Sequence, residues 1–139
     1  EARDLKIKEK LDTNKILDCL NVELEPIMVD IFLKLKKKIT CACLTNNIQN
    51  NNNIISSNTF NAFKNNFSYV FESSKLGLRK PEEEIYKHVL SFLKLPPQNI
   101  LFIDDLGINL KPAKKLGFNT YKAINPKETQ VFLEYFLEN

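Results

Sequence analysis

Apolar runs and amphipathic stretches alternate along this chain, which predicts an α/β fold, a parallel sheet flanked by helices. Two of the runs, Ile39 to Leu44 and Ile100 to Ile103, are almost continuously apolar, as strands are when both faces of a sheet are covered. Each stops abruptly in polar residues, Thr45-Asn46 in one case and Asp104-Asp105 in the other. Ligands of open parallel sheets bind beyond the carboxyl ends of the strands, so these termini are where function is expected.

Along the chain, residues 1 to 20 alternate charge with Leu5, Ile7, Leu11, Ile16 and Leu17, which predicts one or two helices. Asp12-Thr13-Asn14 follows Lys8-Glu9-Lys10-Leu11, a polar helical run rather than a buried strand. Glu25-Pro26 opens a helix whose apolar face carries Ile27, Ile31 and Leu35. The cationic run Lys34 to Lys38 closes it, where positive charge complements the helix dipole. The first buried strand follows, then an asparagine-rich loop over residues 46 to 58, too polar to bury much surface.

Phe60, Phe63 and Phe67 have helical spacing, and Tyr69-Val70-Phe71 makes a short strand ending in Glu72-Ser73-Ser74. The strongest helix comes next. Pro81 starts it, three glutamates occupy its first turn, and Ile85, Val89, Phe92 and Leu93 share a face until Pro96-Pro97 forces the chain out. After the acidic strand, Lys111 to Leu116 form a helix capped by Gly117, and Asn119 to Ala123 form a strand. Asn125-Pro126 with Glu128 caps the last helix.

A chain of 139 residues with 43% hydrophobic content suffices for one core. No apolar run approaches the ~20 residues of a membrane span or the form of a signal peptide, so a soluble, cytoplasmic protein with no membrane partner is expected. Cys19, Cys41 and Cys43 form no metal pattern, and the last two alternate with Ala42 along a buried strand, as core thiols do. The net charge of +3 is modest, and basic residues are not interleaved with aromatics as a nucleic-acid surface requires, which excludes that class of partner. Nothing in the sequence fixes an oligomeric state.

The chemistry is concentrated in three places. Asp104 and Asp105 end a buried strand, and adjacent carboxylates resist burial unless a cation or proton compensates them. Hard oxygen ligands of this kind suit Mg²⁺. Thr45 and Asn46 place a hydroxyl and an amide at the same edge of the sheet, and Gly77-Leu78-Arg79-Lys80-Pro81 puts a lysine at a loop-to-helix junction. Thr45 and nearby backbone N–H groups suit phosphate oxygens, Lys80 neutralises charge, and the carboxylates hold a metal. Taken singly, each has a plainer reading: Thr45-Asn46 as a strand-ending turn, Lys80 as a solvated lysine, Asp104-Asp105 as a helix cap.

Together these residues resemble the haloacid dehalogenase-like hydrolases, whose second motif matches Leu44-Thr45-Asn46, third Lys80, and fourth Asp104-Asp105. The wording is closest to the N-terminal phosphatase domain of soluble epoxide hydrolases. It extends through Phe71-Glu72-Ser73-Ser74, Lys80-Pro81-Glu82 to Ile85-Tyr86, and Phe102 to Gly107 with Asn109 to Ala113, covering roughly residues 25 to 125. The resemblance implies a Mg²⁺-dependent phosphatase acting on a small phosphorylated substrate. Thr45 and Lys80 would be catalytic, with Asn46 joining them on the phosphate; Asp105 would coordinate the metal, Asp104 would orient the metal shell or Lys80, and Asn109 would support the pair.

One departure matters. The family's first motif, a strand ending in Asp-x-Asp that carries the nucleophile, has no counterpart in this sequence. That strand lies at the centre of the family's sheet, so a hole is expected there, with residues 1–24 a helical cap remnant and 25–139 the core. A fragment lacking the nucleophile is one expectation, and a non-catalytic binding or regulatory module is the other.

Overall fold

The computed structural model describes residues 10–13, 25–46 and 63–138, with the backbone alone for the first four. Its centre is a sheet of five parallel strands: β1 (Lys10–Thr13), β2 (Cys41–Thr45), β3 (Tyr69–Glu72), β4 (Ile100–Asp104) and β5 (Asn119–Lys122), in spatial order β3-β2-β1-β4-β5. The chain builds outward from β1 to β3, then returns to the other side of β1. This places the reversal of strand order between β1 and β4, where a crevice opens at the carboxyl ends.

The parallel sheet flanked by helices is therefore present, and the expected hole at its centre is filled. Lys10–Thr13 pairs with β2 on one side, Leu11 level with Cys41, and with β4 on the other, Leu11 level with Leu101 and Thr13 with Ile103. This corrects the helical reading at these four positions; the rest of residues 1–24 lies outside the described residues. A four-residue strand with one aliphatic residue gives no periodicity to detect. What places it is the backbone. The facing edges of β2 and β4 would otherwise present buried N–H and C=O groups without partners.

Among the described residues five α-helices complete the layers: α1 (Pro26–Leu35), α2 (Ser73–Leu76), α3 (Glu83–Leu93), α4 (Gly107–Lys115) and α5 (Pro126–Glu138). Strand alternation sorts the core. Cys41 and Cys43 of β2 and Leu101 and Ile103 of β4 face α1 and α5, packing on Met28, Ile31, Phe32, Leu35, Leu133 and Phe136. Ala42, Leu44, Ile100 and Phe102 face the other way, onto Ile85, Tyr86 and Val89 of α3 and Leu110 and Ala113 of α4. Both cysteines described are buried.

Three helical details differ from expectation. Pro81 does not open α3: it follows Lys80 through a cis peptide bond, and the helix begins at Glu83 with Glu82 as its N-cap. Phe92 is exposed beside the edge strand, edge-on to Tyr69 and Phe71, while Tyr86 takes the buried place. Tyrosine can do so because its hydroxyl donates to the Asn109 carbonyl at 2.6 Å. The helix expected at Lys111 starts at Gly107, because the Leu106 N–H before it is already held by the Asp104 carboxylate. Elsewhere Asn125 caps α5, accepting from the N–H groups of Lys127 and Glu128 at 2.9 and 3.1 Å.

Candidate functional site

β4 delivers Asp104 into the interior at the sheet's carboxyl edge, and the loop before α3 delivers Lys80 to meet it. The side chains of Lys80 and Asp104 are 1% and 0% exposed, with Lys80 Nζ 2.9 Å from Asp104 Oδ2. The plain reading of Lys80 as a solvated residue does not hold. Its ammonium also lies 5.9 Å from the Phe102 ring centroid, within cation–π range. Asn109, in the first turn of α4, donates from Nδ2 to the same carboxylate oxygen at 3.2 Å, while Asp104 Oδ1 accepts from the Leu106 N–H at 2.9 Å. Both Asp104 oxygens are thus engaged by protein donors.

Asn46 holds the lysine from the opposite side. Its Nδ2 donates to the Lys80 carbonyl and its Oδ1 accepts from the Lys80 N–H, both at 2.9 Å. The end of β2 thereby clamps the backbone of a residue 34 positions away. Asn46 retains one free N–H direction for a ligand, since a primary amide has two donors. Thr45, beside it, is 1% exposed, and among the described residues its hydroxyl makes no hydrogen bond.

Asp105 differs from its neighbour. Its Oδ1 is buried and has no hydrogen-bond partner among the described residues. Leaving a carboxylate oxygen so costs desolvation free energy that a cation, a proton or an ordered water would restore. The residues present therefore fit Mg²⁺, which takes one or two carboxylates and keeps its other positions for water and substrate phosphate. Among the described residues no group of three or more His, Cys, Asp or Glu forms a closed protein cage.

Register relates these residues across the sheet. Asp12 of β1 is level with Ala42 and with Phe102, so Thr45, three residues beyond Ala42, is level with Asp105, three beyond Phe102. Two strand spacings separate them, about 10 Å, with the end of β1 between. The hydroxyl and the unpartnered carboxylate thus flank the reversal point of the sheet.

The sequence profile of the haloacid dehalogenase-like hydrolases matches residues 3–123, most of the chain and all five strands. The chain belongs to that family. Among haloacid dehalogenase-like relatives, bifunctional epoxide hydrolase 2 of Rattus norvegicus is 48% identical over 54 residues, 39% of this chain and 10% of that protein. The Sus scrofa counterpart is 36% identical over 96 residues, 67% of this chain and 17% of its own length. Acyl-CoA dehydrogenase family member 10 of Mus musculus is 34% identical over 114 residues, 81% of this chain and 10% of that protein. The chain thus spans a tenth to a sixth of the length of these relatives.

Among solved structures, a haloacid dehalogenase-like enzyme of Bacteroides thetaiotaomicron, in complex with magnesium and inorganic phosphate, superposes with a TM-score of 0.61 at 29% identity, over 73% of this chain and 53% of that one. An uncharacterized protein of Corynebacterium glutamicum has a TM-score of 0.70 at 16% identity, over 95% and 96%, a likeness of fold. The haloacid dehalogenase-like core also carries a pocket of about 340 Å³ beside Lys80, lined by Asn46, Ser73, Ser74, Gly77, Leu78, Arg79 and Glu82. Sequence reasoning assigned no role to Arg79 or Tyr86, because neither position stands out by residue type.

Proposed function

We propose that this haloacid dehalogenase-like core binds a phosphomonoester with Mg²⁺ at the carboxyl ends of β2 and β4, the binding half of a phosphatase site. One observation carries the reading: the buried, unpartnered Oδ1 of Asp105, next to the Asp104–Lys80 pair. The magnesium and inorganic phosphate of the Bacteroides thetaiotaomicron relative support it. Bound at Asp105, Mg²⁺ would supply Lewis-acid stabilisation of phosphoryl charge.

This chain's own residues have separate tasks. Thr45 offers its uncommitted hydroxyl to a phosphate oxygen, and Asn46 offers its remaining N–H. Lys80 contributes positive charge held at one place by Asp104 and Asn46, so little reorganisation is needed as the phosphate arrives. Asp104 acts through that lysine, and Asn109 steadies Asp104.

Phosphoryl transfer also needs an attacking group, and the sequence contains no Asp-x-Asp. In a haloacid dehalogenase-like phosphatase an aspartate carboxylate oxygen would attack phosphorus, the P–O bond to the alcohol would break, and the leaving alkoxide would take up a proton. Water would then cleave the aspartyl phosphate to free phosphate and the carboxylate. The central strand position from which that aspartate would act is held here by β1, which carries Asp12. The 139-residue chain is expected to bind without turning over. A non-catalytic haloacid dehalogenase-like binding or regulatory module is the second reading, favoured by that same sequence.

The test is a Mg²⁺ titration with and without inorganic phosphate. Binding that phosphate tightens, and that Asp105→Asn abolishes without altering the melting curve, is the expected result. Asparagine keeps the shape and removes the charge. Undiminished binding by Asp105→Asn overturns the assignment. Release of an aryl alcohol from an aryl phosphate above the level of Asp105→Ala would show that this chain carries its own nucleophile, with Asp12 the first residue to substitute.

A further inference from the structure

The pocket beside Lys80 adjoins the phosphate site. One wall is shared with it, because Asn46 lines the pocket and also clamps the Lys80 backbone. The other walls come from the start of α2, Ser73 and Ser74, and from the loop Gly77 to Arg79, with Glu82 at the margin. Gly77 turns this loop at φ +68°, and a Cβ there would meet nothing within 4 Å. The pocket's volume of about 340 Å³ is within the range of small-molecule sites.

Arg79 gives it a chemical preference. Its side chain is exposed and, among the described residues, forms no hydrogen bond or ion pair, although Glu82 lines the same pocket. A guanidinium is a planar fork suited to a carboxylate or phosphate, and it is always charged. Lys80, its neighbour in sequence, turns inward to Asp104, so the two adjacent cations serve different spaces.

We infer that this pocket receives the non-reacting end of the substrate and that Arg79 recognises an acidic group there, so that the site selects phosphomonoesters carrying a carboxylate. This rests on the reading of Lys80 and Asp105 as the phosphate and metal site. Arg79 is then a specificity-determining residue. A carboxylate would form charge-assisted hydrogen bonds with it, while the alcohol portion lies along Leu78 and the serines. Glu82 repels a misplaced acid and so favours ligands whose carboxylate reaches the guanidinium.

The test compares phosphate esters of ω-hydroxy carboxylic acids of increasing chain length with the primary amides of the same esters, by calorimetry in Mg²⁺. The acid of matching length is expected to bind about tenfold more tightly than its amide. Arg79→Gln is expected to lower the acid to the affinity of the amide, and Arg79→Lys to restore part of the difference. Equal affinities of acid and amide at every length, or a preference that survives Arg79→Gln, overturn the subsite while leaving the phosphate site standing. Failure of every ester to bind overturns both.

Discussion

Lys80 is the side chain whose environment departs furthest from what its type suggests. It is 2% exposed and neutralises Asp104, itself 0% exposed. Breaking a buried pair from one side leaves the other charge uncompensated, which costs about 3–5 kcal/mol. Lys80→Met is therefore expected to lower stability by that amount in a urea titration, and the double variant Lys80→Met/Asp104→Leu to recover most of it. Full loss in the double variant as well would mean that Asn109 and the Leu106 N–H, rather than the ion pair, depend on this carboxylate. Asp105 is the contrasting case: its cost is left standing in the fold, as expected of a group kept for a ligand.

The helices show how local sequence and packing share the work. Phe32 of α1 is fully buried, with its ring centroid 4.4 Å from Phe67 and 5.4 Å from Phe63. Truncating it to alanine removes both aromatic contacts and leaves a cavity, so Phe32→Ala is expected to cost about 3–5 kcal/mol by chemical denaturation. α3 offers a milder test. Glu83 is held below its ordinary pKa of 4.5, first by the hydrogen bond and charge of Lys87 and then by the charge of Lys115. A carboxylate acidified by folding contributes stability above its unfolded pKa and loses it as pH falls through the folded value. The melting temperature of Glu83→Gln should lie slightly below that of the parent at neutral pH. The gap should close well below pH 4.5 and shrink in high salt, because the group is exposed. A gap that persists in acid would exclude the ion pair as its source.

For the molecule as a whole, the decisive element is a strand of only four residues. β1 joins the β2-β3 half to the β4-β5 half through backbone pairing on both edges. Proline at its centre removes a ladder donor from, and fixes the backbone of, a strand that pairs on both sides. Leu11→Pro is expected to abolish the single cooperative thermal transition seen by circular dichroism, whereas Leu11→Val should retain it. A melting curve unchanged by Leu11→Pro would mean that helix packing on both faces and the Lys80–Asp104 pair hold the two halves together without β1. Among the described residues no helix is long and apolar enough to cross a membrane.

The sequence by itself determined β2 and β4, because strands covered on both faces must be apolar throughout, and their polar ends marked Thr45, Asn46, Asp104 and Asp105. It also determined α1, α5 and the Asn125 cap, whose signals are local in periodicity and hydrogen bonding. Only the tertiary structure decided that Lys10–Thr13 is the central strand, since the partners that require it are 30 and 90 residues away in a chain that folds them together. The resemblance had set Asp105 apart from Asp104; the tertiary structure shows the physical difference, giving Asp104 the partners Lys80, Asn109 and the Leu106 N–H and leaving Asp105 Oδ1 without a donor among the described residues. Adjacent residues of one type are indistinguishable by composition or spacing. What distinguishes them is which direction each leaves the end of a strand, and that is fixed by what packs around it.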